Sequence, residues 1–155
     1  MQIHEMYPYL RMKNTEAAIR FYKAAFGVEE KFRLVEPSGR IGHVELAFGP
    51  NTLMLSDEFP EYGITAPEPS EVKMCIHIHV EDCDALMAQA IKAGATLVRS
   101  AADHFYGERS GAVMPYSGNS SESISVFGPK ASSTCPMRPL GSTRRNFSST
   151  PNAAL

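Results

Sequence analysis

KMCIHIHVEDCDALMAQAIKAG, residues 73–94, changes period partway along its length. In its first part Cys75, His77 and His79 recur every second position, with Ile76, Ile78 and Val80 between them. Such alternation places one set on each face of a β-strand. The period then lengthens. Asp82 reads as an N-cap and Asp84 as a first-turn acid favoured by the helix dipole. DALMAQAIKA places Leu86, Ala90 and Ile91 on one helical face, and Gly94 is the stop signal.

The same strand-then-helix grammar occurs near the start of the chain. MYPYLRM, residues 6–12, alternates as a strand, and Asn14 and Glu16 repeat the cap and the first-turn acid. Ile19, Tyr22 and Phe26 form an amphipathic face that Gly27 ends. Asn14-x-Glu16-Ala17 matches Asp82-x-Asp84-Ala85, and Gly27 matches Gly94, a repeat of about 68 residues. After Gly27, VEEKFRLVE, IGHVELAFG and TLMLSDE read as three strands separated by the turns PSGR and GPN. FPEYGITAPEPSEV, residues 59–72, reads as a linker, and ATLVRSA resumes the strands of the second half. One βαβββ unit buries only one face of its sheet, so two units must share a core. The expectation is an α+β domain over residues 1–128 with modules at about 5–58 and 73–128. Its strands form a curved mixed sheet around a cleft, with the helices outside.

The chain has 155 residues, enough for one domain with a core, and a net charge of -2. Beyond Pro129 the only charged side chains are Lys130, Arg138, Arg144 and Arg145, so residues 1–128 carry 17 acids against 11 bases. Four cations without interleaved aromatics make a poor nucleic-acid surface. Residues 129–155, rich in Ser, Pro and Arg, lack hydrophobic periodicity and read as a disordered tail. Three cysteines without a CxxC pair fit a reducing compartment. MQIHEMYPYL lacks a basic segment followed by an apolar run, and no stretch approaches a membrane span, so a cytoplasmic protein is expected. Phosphate-binding glycine loops, nucleophile elbows and zinc-finger spacings are absent from the sequence.

PYLRMKNTEAAIRFYKAAFGVEE, GRIGHVELAFGPNTLMLSDEFPE, IHVEDCDALMAQAIKAGA and DHFYGERSG, in that order over roughly residues 7–111, resemble the vicinal-oxygen-chelate superfamily. These are the glyoxalase/bleomycin-resistance proteins, and the similarity is to their PhnB-like branch. The resemblance implies a glyoxalase-like fold, a small-molecule ligand in the cleft and a homodimer. It also implies metal-ligand slots near Tyr7, Glu45, Cys75 and Glu122, where a divalent Zn, Ni, Mn or Fe ion would chelate vicinal oxygens of a substrate. Tyr7 is a poor zinc ligand, and Cys75 departs from the family's usual His. After Gly111 the pattern breaks at AVMPYSGNSSESISVFGPK. A shifted reading frame there, or a product lacking its last strand, is one expectation that translating the other frames of the coding DNA would test.

The residues themselves offer further candidates. His77 and His79, with Cys75 extending the row, have a His-x-His spacing that lets two imidazoles reach one ion. The alternative is a cavity wall of histidines bonded to their neighbours. His43 and Glu45 share one face of their strand, as an acid–base or ligand-binding pair or as a solvated edge. Tyr7, Tyr9 and Arg11 alternate onto the polar side of the first strand and suit an anionic or planar ligand. Arg109 either faces the cleft or pairs with Glu108. Two function classes follow: binding of a small molecule without covalent chemistry, or a metal-dependent lyase, isomerase or dioxygenase in which Glu45 or His43 moves the proton.

Overall fold

The computed structural model describes residues 5–67, 74–115 and 122–130. Two βαβββ modules follow one another. The first holds β1 (Tyr9–Met12), α1 (Thr15–Phe26), β2 (Glu29–Val35), β3 (Ile41–Phe48) and β4 (Asn51–Asp57). The second holds β5 (Met74–His79), α2 (Cys83–Lys92), β6 (Thr96–Asp103), β7 (Glu108–Met114) and β8 (Glu122–Pro129). Each forms its own four-stranded mixed sheet, ordered β1-β4-β3-β2 and β5-β8-β7-β6. The first strand of each module pairs parallel with the last, and the other pairings are antiparallel. The two helices pack against one another, and Gln89 Nε2 donates to Ala24 O at 3.1 Å across the junction.

Local chemistry sets the helix ends. Asn14 Oδ1 accepts from Ala17 N and Asp82 Oδ1 from Ala85 N, each at 2.9 Å. Each cap satisfies an otherwise orphaned donor and contributes about 1 kcal/mol. Gly27 ends α1 at φ 65°, where a side chain would be strained. Asp57 ties three elements: its carboxylate accepts from Thr15 N at 2.8 Å and from Ile41 N at 2.6 Å. β1 begins only at Tyr9, later than the alternation suggests. Pro8 has no N–H for a ladder, although its carbonyl accepts from Met54 N at 3.0 Å.

Alternation along the strands sends one face of each sheet to a helix. Leu10, Met12, Val44, Leu46, Leu53 and Leu55 bury against Ile19 and Tyr22 of α1 in the common core. Burying each such side chain stabilises the fold by roughly 1.5–3 kcal/mol. In the second module Ile124, Val126 and Val113 meet Cys83, Met87 and Ala90 of α2. This corrects the expected helix face. Ala90 is shared, but Leu86 is only half-buried and Ile91 is 43% exposed. Two glycines in the sheet account for the difference. A Cβ at Gly111 would stand 2.2 Å from Met87 Sδ, and one at Gly128 would stand 3.2 Å from Cys83 N. The helix therefore docks where the sheet has no side chains.

Two other expectations change. The reading that the last strand is missing is overturned, because β8 is present and pairs with both β5 and β7. The segment read as a linker is structured in its first part. Residues Pro60–Tyr62 form a 3-10 turn, Phe59 is 9% exposed, and Phe59 bridges Ile64. Pro at its start and Gly63 at φ 72° after it are the turn's own signature. The expected tail beyond residue 130 lies outside the described residues. Among the described residues no helix is long and apolar enough to cross a membrane.

Packing at Gly111 makes a coupled mutational test. Gly111→Ala is expected to lower stability by about 1–3 kcal/mol through overpacking. Met87→Ala alone should lower it by about 2–5 kcal/mol. The double variant should lose less than the sum, because the second change makes room for the first. Chemical denaturation of the four proteins checks this, and strict additivity would place Met87 away from Gly111. The thiols give a second test. Cys83 donates to Val126 O at 3.3 Å, and burial pushes its thiol pKa up, whereas Cys75 is exposed. Iodoacetamide with peptide mass mapping should modify Cys75 in the folded protein and Cys83 only after denaturant is added. Equal native labelling of both would mean that α2 is not docked.

Candidate functional site

On the face of the first sheet opposite α1, β1, β3 and β2 bring polar and aromatic side chains together. Tyr9 lies beside Met54 and Glu45 beside Met54 in the ladder, while Leu34 pairs with His43 and Phe32 with Glu45. Tyr9 Oη and His43 Nδ1 share a hydrogen bond of 2.8 Å, and His43 Nε2 stands 3.3 Å from Glu45 Oε1. The Tyr9 hydroxyl also lies 3.3 Å from Gly42 O, so it has both this carbonyl and the His43 ring within reach. Tyr9, His43 and Glu45 thus form a connected row of polar groups within hydrogen-bonding distance. Phe32 flanks the His43 ring at 5.9 Å between centroids. The Tyr7 phenol is pushed up, first by its hydrogen bond to Glu5, with the charges of Glu5 and Glu45 adding to the effect.

Arg11 extends this face. Its guanidinium lies 4.2 Å from the centroid of the Tyr9 ring and donates to Ser56 Oγ. Ser56 is fully buried and passes its own proton to Asp57 O at 2.9 Å. A pocket of about 440 Å³ opens here, with Tyr9, Arg11, Glu36, Arg40, Phe59 and Tyr62 in its walls. Arg40 stands 4.2 Å over the Phe59 ring and bonds the Glu61 carboxylate, which holds the 59–64 segment in place as one wall. That ion pair keeps the Arg40 pKa raised and the Glu61 carboxyl lowered. Sequence reasoning missed Glu36, Arg40, Phe59 and Tyr62. The Pro60-to-Gly63 turn signature was the available signal, but it does not say what the turn covers.

The second module places its candidates elsewhere. Cys75, His77 and His79 are exposed on one face of β5, as alternation required. His77 and His79 both rest on the Phe127 ring, at 4.9 and 5.0 Å, and Cys75 Sγ lies 3.3 Å from Ser125 Oγ. Among the described residues no three His, Cys, Asp or Glu side chains form a group able to hold a metal ion. The side chains of Cys75, His77, His79 and Glu45 thus do not by themselves fit a divalent ion, and the Glu122 side chain lies outside the described residues. His77 and His79 instead border a recess of about 590 Å³ between β5 and the β3–β4 turn, with Phe26, Phe48, Ile78 and Leu86 as apolar wall.

Arg109 belongs to neither recess. On β7 it has the parity of Gly111 and Val113, which face α2. Its guanidinium grips Asp84 at 2.6 and 2.9 Å and Asp103 at 3.2 Å. The arginine holds the Asp84 carboxyl below its usual range. Arg109 is a clamp between α2 and the sheet, which corrects its expected place in the cleft. Also missed was a part-buried cluster in which the buried Ser110 accepts through Oγ from the exposed Arg99 at 3.2 Å and bonds the half-buried His104 Nε2 at 2.8 Å. His104 stacks on Tyr106 at 5.0 Å.

Comparison with known proteins places this geometry. The sequence pattern of the Glyoxalase/Bleomycin resistance protein/Dioxygenase superfamily matches residues 3–125. The uncharacterized protein Rv0887c of Mycobacterium tuberculosis is 34% identical over 110 residues, spanning 68% of this chain and 65% of that protein. A Mycobacterium bovis protein, also uncharacterized, is 34% identical over 110 residues, which cover 72% of its length. Among solved structures, a glyoxalase/bleomycin resistance protein/dioxygenase from Nocardioides superposes with a TM-score of 0.63 at 17% identity, over 90% of this chain and 91% of that one. TioX from Micromonospora sp. ML1 superposes with a TM-score of 0.63 at 20% identity, over 82% of this chain and 99% of that one. With its two βαβββ modules, each a four-stranded mixed sheet, and a sequence match over most of its length, the chain belongs to the glyoxalase/bleomycin-resistance/dioxygenase superfamily.

Proposed function

We propose that this protein binds a small molecule at the helix-free face of its first module, without covalent chemistry. The observation that carries this reading is Arg11. It is half-buried beside a formed pocket and, among the described residues, is held only by a hydroxyl and an aromatic face. Concave pockets with a few convergent polar groups are the usual sites of small-molecule recognition. Tyr9 joins the pocket to the His43–Glu45 pair. The PhnB-like affinity and a cytoplasmic location are parts of the same proposal. So is a homodimer, supported by the exposed apolar side chains of Phe32, Leu34 and Val35 on β2 and of Leu97 and Val98 on β6.

The hydrogen-bonded Tyr9–His43–Glu45 chain favours a second reading, an enzyme of the same superfamily in which His43 or Glu45 moves a proton. Metal analysis and thermal shift of the untagged protein separate the two readings. For the binding reading, a screen of small metabolite-like compounds should raise the melting temperature. Zn, Ni, Mn and Fe(II) should not, and Arg11→Gln should abolish the ligand shift while His77→Ala leaves it intact. Stoichiometric metal whose affinity falls in His77→Ala would instead support the metal-dependent enzyme. Sedimentation at several concentrations checks the dimer, and a monomer at every concentration removes it.

A further inference from the structure

We propose that the Arg11 pocket takes a planar aromatic anion, its acidic group on the Arg11 guanidinium and its ring against the exposed aromatic wall supplied by Tyr62. This rests on the small-molecule reading above and narrows it to a class of ligand.

The charge argument comes from comparing arginines of the same module. Arg33 is held by Glu16 and Glu30, both at 2.6 Å. Arg40 is paired with Glu61. Arg20 lies 3.8 Å from Glu16. Arg11 differs from these, since its partners among the described residues are the Ser56 hydroxyl and the Tyr9 ring. Ser56 fixes the guanidinium without neutralising it, because an uncharged hydroxyl accepts from Arg11 through Oγ while donating its own proton to Asp57 O. The outer part of a planar, permanently charged fork is thus left to face the pocket. That fork matches a carboxylate in two parallel hydrogen bonds.

Shape comes from the other walls. Tyr9 already stacks beneath Arg11, Phe59 lies beneath Arg40, and Tyr62 stands 6.4 Å from Phe59 while 76% exposed. Aromatic walls select a flat ring, which stacks at little entropic cost. Glu36 supplies the opposing charge. It reaches the pocket wall because residue 42 is glycine; a Cβ there would stand 2.6 Å from Glu36 Oε1. A carboxylate in the wall disfavours an acidic group seated beside it, which biases the ligand's acid towards the Arg11 guanidinium. The pocket volume of about 440 Å³ suits a ligand of one or two fused rings.

The test uses the full-length protein and three probes: 2-naphthoate, planar and anionic; 2-naphthamide, planar and neutral; and cyclohexanecarboxylate, anionic and not flat. Equilibrium titration should show one saturable naphthoate site, with each of the other probes at least about tenfold weaker. Arg11→Gln should weaken naphthoate about ten- to a hundredfold, as loss of a charge-assisted pair implies, with Arg11→Lys between. Glu36→Gln should tighten naphthoate. Tyr62→Ala, at an exposed site that does not threaten folding, should weaken both naphthyl probes alike. Unliganded melting curves show that each variant is folded; if Arg11→Gln is not, Glu36→Gln and Tyr62→Ala decide the matter. Naphthamide binding as tightly as naphthoate, or naphthoate affinity unchanged in the folded Arg11→Gln protein, overturns the ligand class and leaves the binding reading standing. No probe binding, while other compounds still shift the protein, has the same effect. Failure of every compound overturns both.

Discussion

Each four-stranded sheet has one helix to cover it, and that shortage of cover organises the whole molecule. A lone βαβββ unit leaves half its sheet wet and one helix flank bare. Packing α1 on α2 removes the bare flank in both halves at once. The opposite faces remain open, and a face that cannot be buried must be made of side chains that tolerate water. Tyr9, Arg11, His43 and Glu45 in one module, and Cys75, His77 and His79 in the other, are what that requirement selected. Their positions follow from strand parity once the helix has claimed the other side.

The modules are equivalent in topology but not in how they handle charge. In both, the acid in the helix's first turn is gripped by an arginine. Glu16 is held by Arg33 from β2, and Asp84 by Arg109 from β7. The repeat therefore conserves the clamp while drawing it from strands at different places in the sheet. Within the first module, the half-buried Arg11 differs from Arg20, Arg33 and Arg40 as a charge held by neutral groups among the described residues. The first module keeps a polar chain and a charged pocket, whereas the second turns its histidines onto Phe127 at the rim of an apolar recess. One scaffold has thus made two recesses of different chemistry, and fold alone assigns a function to neither.

Much of this was legible in the residues. Caps at Asn14 and Asp82, the αL stop at Gly27, and strands that alternate with period two are local features, decided within a few residues of chain. They were sufficient to reveal the repeat and hence the shared core. The misreadings arose where distant segments meet. Leu86 and Ile91 had the period of a buried stripe, yet Cys83 and Met87 were buried, because Gly111 and Gly128 lie some distance along the chain and set the docking track. Arg109 looked like a cleft residue until the register of β7 placed it beside Asp84. The 59–64 segment, rich in Pro and Glu, looked like a linker because composition reports solvation and not the arginine waiting on β3's approach.

By itself, then, the sequence determined the order and type of the elements and the two faces of each strand, and its motifs resembled a family that pairs such modules. Elements and faces depend on short-range sterics, hydrogen bonding and period, which neighbouring residues carry in full. The tertiary structure decided which polar residues meet. Tyr9 and His43 are 34 residues apart, and Arg11 and Ser56 are 45 apart. Each pair is joined by strand pairing whose register no local window contains. A binding site is a set of such long-range coincidences. Chain order names its candidate members, and only the packed sheet selects among them.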